Sequence, residues 1–73
     1  MTTPAPFRHL QFSGEKMKEL RIAAKYSRKR LCTDLGVSIM TIYNWEIGRR
    51  QPSANALWKM AALLQTKVTA FYE

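Results

Sequence analysis

Apolar residues recur along this chain at helical spacing, and a serine stands before each run. Met17, Leu20 and Ala24 fall at i, i+3 and i+7 behind Ser13, a good N-cap, with Glu15 in the first turn. This predicts a first helix from Ser13 to about Lys25-Tyr26. Ser27 caps a second helix, Arg28 to Leu35, whose apolar face is Leu31, Cys32 and Leu35; Gly36 stops it, because glycine enters the left-handed region without steric cost. Ser38 caps a third helix, about 38–47, which buries Ile42 and Trp45 and closes at Gly48. After Arg49-Arg50-Gln51-Pro52, Ser53 caps a fourth helix with Leu57, Met60, Ala61 and Leu64 at core spacing. A short fifth helix begins at Thr66 or Lys67, where Val68 and Phe71 close the core. Residues 1–12 hold two of the three prolines and no helical period, so they predict an extended arm pinned by Phe7, Leu10 and Phe12. The expected fold class is all-α, a compact bundle of four to five helices over 13–73 behind an arm over 1–12.

Composition narrows what such a bundle does. With 73 residues there is room for one domain, burying roughly 60% of the unfolded chain's surface, and two-domain enzyme architectures are excluded. Twelve Lys+Arg against five Asp+Glu give a net charge of +7, which points to a polyanionic partner, and the 47% hydrophobic content argues against a disordered basic tail. One cysteine, Cys32, forms no internal disulfide, and with one histidine, His9, it leaves no zinc cluster. No secretory pattern opens the chain and no run approaches the ~18 apolar residues of a membrane span, so the expected compartment is the reducing cytoplasm, in association with the nucleoid. Enzyme chemistry lacks parts: there are no paired carboxylates on one face and no glycine-rich phosphate loop. No metal, cofactor or small-molecule ligand is expected. The basic residues sit at helix starts and loops, not along one amphipathic face, which argues against a membrane surface.

The informative unit is Arg28 to Ile47, RKRLCTDLGVSIMTIYNWEI. Two short helices joined by so tight a turn must cross steeply. Cys32 must be small at the crossing, Gly36 must take the left-handed turn, and Leu31, Leu35, Val37, Ile42 and Trp45 must hold the pair on the core. Ile39, Met40, Tyr43 and Asn44 are left facing outward, on a helix that fits a major groove.

These landmarks, in order, resemble the lambda repressor/Cro-like, or XRE, family of helix-turn-helix proteins. They run through Leu20-Arg21, Ser27, Leu31-Cys32, Leu35-Gly36-Val37-Ser38, Thr41-Ile42, Trp45-Glu46, Gly48, Pro52, Leu57, Met60-Ala61 and Leu64, with W-E-x-G-x-x-x-P at 45–52. The likeness covers about Ser13 to Tyr72, with the turn motif at about 28–47 and the recognition helix at about 38–47. It implies a transcriptional regulator, bacterial or phage, that binds a double-stranded DNA operator as a symmetric homodimer and resembles the short Cro-like members. Carried over by position, Ser38, Ile39, Met40, Tyr43 and Asn44 face the groove; Asn44 offers a donor and an acceptor to adenine, and Ile39 and Met40 meet thymine methyl groups. Ser27, Arg28, Lys29, Arg30, Thr41, Arg49 and Arg50 are the expected phosphate contacts. Arg8 in the arm is a candidate for the minor groove.

The resemblance further implies a structural ion pair between Arg21 and Glu46. Trp58, Ala62, Leu63, Phe71 and Tyr72 are the candidate dimer interface. Arg28 replaces a usual Gln and Cys32 a usual Ala. Lys25 replaces a common Gly, so it either accepts left-handed strain of about 1 kcal/mol or the turn differs. A protein-interaction module on the same fold, such as an antirepressor or antitoxin partner, is the alternative that the apolar Ile39-Met40-Tyr43 face would serve.

Overall fold

The computed structural model describes residues 10–73. Four α-helices follow one another: α1 (Gly14–Ala23), α2 (Arg28–Leu35), α3 (Ile39–Glu46) and α4 (Ala54–Leu63), and a 3-10 turn (Val68–Phe71) follows α4. The fifth helix expected from sequence is thus a single four-residue 3-10 turn, without a side-chain cap at Lys67. The first helix ends at Ala23, a little short of Lys25-Tyr26.

The same chemistry starts every helix. Ser13, Ser27, Ser38 and Ser53 each lie in extended backbone, and each hydroxyl accepts from the backbone N–H three residues on, at Lys16, Arg30, Thr41 and Ala56. The ends repeat one motif as well. After α1 the N–H of Tyr26 bonds Arg21 O and that of Lys25 bonds Ile22 O; the pattern recurs at Val37 and Gly36, at Arg49 and Gly48, and at Thr66 and Gln65. Each such ending requires one residue with positive φ. Gly36 (75°) and Gly48 (84°) supply two, while Lys25 (61°) and Gln65 (55°) supply the others despite their side chains. Lys25 therefore keeps the turn and accepts the strain.

The core is one cluster: Met17 from α1, Leu31, Cys32 and Leu35 from α2, Ile42 and Trp45 from α3, Leu57, Met60, Ala61 and Leu64 from α4, and Phe71. Phe71 is fully buried, so its side chain closes the core and is not available to an interface. Leu20, Ala24, Val37 and Val68 pack half-buried against it. α2 packs on both α3 and α4, and α1 packs on α3 and the 3-10 turn.

Of the expected arm, residues 1–9, with Phe7, Arg8 and His9, lie outside the described residues. Leu10 is exposed, but Phe12 pairs with Tyr72 in an antiparallel bridge, Gln11 and Glu73 exchange backbone hydrogen bonds of 3.0 Å each way, and the Phe12 ring meets Tyr72 edge-on at 6.3 Å. The start and the end of the described chain are thereby tied together beside α1.

Candidate nucleic-acid interface

Three residues, Gly36, Val37 and Ser38, connect α2 to α3. The left-handed Gly36 reverses the chain and the Ser38 cap starts the next helix at once, so the two axes must cross within one turn. Ile42 and Trp45 anchor α3 from its inner side. Its outer side carries Ile39, Met40, Tyr43 and, one residue past the helix, Ile47; these are 41–57% exposed.

Two polar groups on the outer side are engaged in part. Ser38 Oγ and Thr41 Oγ1 bond each other at 2.9 Å, in addition to the cap bond from Thr41 N–H. Asn44 is half-buried and its Oδ1 is buried with no hydrogen-bond partner. The side chain therefore does not present a donor and an acceptor together, as the expected bidentate contact with adenine needs. Its backbone carbonyl accepts from both Arg49 and Arg50 N–H, which folds the loop against the end of α3. Thr41, Asn44, Trp45, Arg50 and Gln51 line an open cleft of about 400 Å³ there. A larger hollow of about 580 Å³, between the C-terminal ends of α1 and α4 and lined in part by Leu20, Tyr26, Leu63 and Thr66, lies away from α3.

Behind α3, Glu46 is buried and held by two guanidinium groups. Arg21 Nε donates to Oε2 at 2.6 Å, Arg28 Nε donates to Oε1 at 2.9 Å, and Arg21 also donates to the Tyr26 carbonyl at 2.7 Å. A buried carboxylate needs such partners, because desolvation costs several kcal/mol that only close pairing returns. The expected partner Arg21 is present; Arg28 joins it. The Arg28 guanidinium also stands 5.6 Å from the Tyr43 ring centroid and is half-exposed, so it links the buried carboxylate to the outer face of α3.

The remaining cations stand at the start of α2 and past the end of α3. Lys29 and Arg30 are exposed at the start of α2, where no acidic residue occupies the first turn. Arg30 stacks on Tyr26 at 4.4 Å and lines the hollow between α1 and α4, away from α3, and the Tyr26 hydroxyl donates to Asp34. Ser27 is exposed but its hydroxyl serves as the cap of α2. Past the end of α3, Arg49 and Arg50 are exposed. The candidate dimer residues are less uniform: Trp58 is 70% exposed and Ala62 exposed, Leu63 and Tyr72 are half-buried, and Phe71 is buried.

Two features escaped the sequence reading. Arg28 as a partner of Glu46 has no local signature, since 18 residues separate them. Gly14 does have one. A glycine at the first helical position is a poor helix former, and here a Cβ would collide with the carbonyl oxygens of Trp45 and Glu46, so its absence lets α1 press against the end of α3.

A tight two-helix turn, a capped outward helix and cations at the start of the first helix and past the end of the second define a helix-turn-helix module. The chain belongs to the XRE-type Helix-turn-helix family, whose pattern matches residues 17–71, and it is a DNA-binding regulator in class. Among solved structures it is similar to the high-resolution crystal structure of the restriction-modification controller protein C.AhdI from Aeromonas hydrophila, with 26% sequence identity and a TM-score of 0.73, over 80% of this chain and 88% of that one. No match was found among curated proteins. Among the described residues, no helix is long and apolar enough to cross a membrane.

Proposed function

We propose that this protein is a sequence-specific, double-stranded DNA-binding transcriptional regulator that lays α3 in the major groove and acts on its operator as a symmetric dimer. The observation that carries the reading is the exposed outward face of α3, with the Arg28 guanidinium beside the Tyr43 ring and the exposed Arg49 and Arg50 just past the helix end; Lys29 and Arg30 follow Arg28 in the first turn of α2. Those residues, with Ser27 and Thr41, are the proposed phosphate contacts. Ser38, Ile39, Met40, Tyr43 and Asn44 are the proposed base-facing set, with Asn44 contributing without the bidentate contact, since its Oδ1 is buried. The similarity to a controller protein supports regulation as the role.

In the dimer, exposed Trp58 and Ala62 on α4, with the edges of Leu63 and Tyr72, form the contact between copies. A large aromatic side chain left 70% exposed on a helix is a common feature of surfaces that meet a partner.

A protein-interaction module is the second reading, favoured by the apolar stripe on α3. The flanking cations favour DNA, since a protein groove gives them no phosphates to meet. Selection of bound sequences from random duplex DNA at two salt concentrations decides between them. The proposal expects an enriched palindrome whose binding weakens steeply with salt. Binding without any enriched sequence contradicts specificity, and an absence of binding favours the protein partner.

A further inference from the structure

The outer face of α3 is mainly apolar, with the Tyr43 hydroxyl as its exposed polar group along the stripe. Ile39, Met40, Tyr43 and Ile47 stand at i, i+1, i+4 and i+8 and form one stripe along the helix. The hydroxyls beside it, on Ser38 and Thr41, are bonded to each other, and one end of the Asn44 amide is buried. Arg28 holds the Tyr43 ring from the α2 side. A ligand that covers this face must be apolar against the stripe and anionic where Arg28 borders it and where Arg49 and Arg50 follow the helix end.

Duplex DNA meets that description in one way. Its phosphate backbones supply the anionic groups, and the apolar group on the major-groove edge of the base pairs is the C5-methyl of thymine. Cytosine has a hydrogen at the equivalent carbon, and 5-methylcytosine has the same methyl in the same place. From this we infer that α3 is a reader of pyrimidine C5-methyl groups: it binds DNA carrying 5-methylcytosine in preference to cytosine, just as it binds thymine in preference to uracil. Ile39 and Met40 make the contacts, and the ring of Tyr43 walls the same stripe. The inference rests on the DNA-binding reading above and adds a modification of the DNA to which the protein responds.

The test is fluorescence anisotropy of the full chain against four alternating duplexes at one salt concentration: dA·dT, dA·dU, dG·dC and dG·5-methyl-dC. Removing one methyl from water against an aliphatic side chain corresponds to roughly threefold to fourfold in affinity. The methylated member of each pair is expected to bind tighter by at least that factor. The double variant Ile39→Ser/Met40→Ser, altered at two exposed positions, is expected to bind the methylated duplexes more weakly than the parent chain does and to bind the two members of each pair equally. Equal affinity within each pair, with salt-sensitive binding retained, overturns the inference and leaves the DNA-binding reading standing. A preference that persists in the double variant overturns its assignment to α3. Failure to bind any of the four at low salt overturns the inference together with the reading beneath it.

Discussion

At the scale of single residues, the same two devices recur at every helix end, and their quality varies with the side chain. The four serine caps are readable from sequence because a hydroxyl before an apolar period has few other uses. The four left-handed endings are only half readable. Gly36 and Gly48 announce themselves, Lys25 is suspect only by comparison with a family pattern, and Gln65 gives no sign at all. Each non-glycine residue there bears strain of about 1 kcal/mol. Lys25→Gly is therefore expected to raise stability by about 0.5–1 kcal/mol after the extra unfolded-state entropy of glycine is counted, as measured by urea denaturation. The opposite holds at Gly14. Its replacement by alanine puts a methyl into the carbonyls of Trp45 and Glu46, and the required shift of α1 should cost about 1–3 kcal/mol in the same measurement, although alanine is the better helix former.

At the scale of elements, α3 is placed by its neighbours more than by its own turns. At eight residues it is too short to be stable alone. Ile42 and Trp45 hold its inner side, α1 packs on it through Gly14, and Glu46 fixes its end to Arg21 and Arg28. The periodicity made the inner side legible, since apolar residues at 42 and 45 can only face the core once 39, 40 and 43 face out. The Arg28 bridge was illegible because it depends on where α2 begins relative to the end of α3, which spacing does not encode. Glu46→Gln leaves two arginines beside a neutral amide and should destabilise by about 3 kcal/mol, lowering the melting temperature well beyond a surface substitution. Arg28→Ala should cost less in stability, because that side chain is half-exposed and Arg21 remains, yet it should weaken DNA binding by freeing Tyr43. An Arg28→Ala protein with unchanged affinity would remove Arg28 from the interface.

For the whole molecule, the charge of +7 is organised as well as large. Arg28 borders an apolar strip and Arg49 and Arg50 follow its end, which separates the non-specific phosphate attraction from the reading of bases. Neutralising Arg49 and Arg50 together should lower affinity for all duplexes alike. It should also reduce the slope of log affinity against log salt by about 0.9 for each lost phosphate contact. Substitutions at Ile39 or Met40 should instead change which sequences bind and leave the slope alone.

Titrating the isotope-labelled chain with duplex DNA and following each backbone amide by NMR shows whether α3 and the cations near it form the DNA surface. Shifts are expected at residues 27–30, 38–44 and 48–51, with the outer face of α1 undisturbed. Shifts concentrated around Trp58 on α4, with 38–44 unmoved, would contradict that assignment.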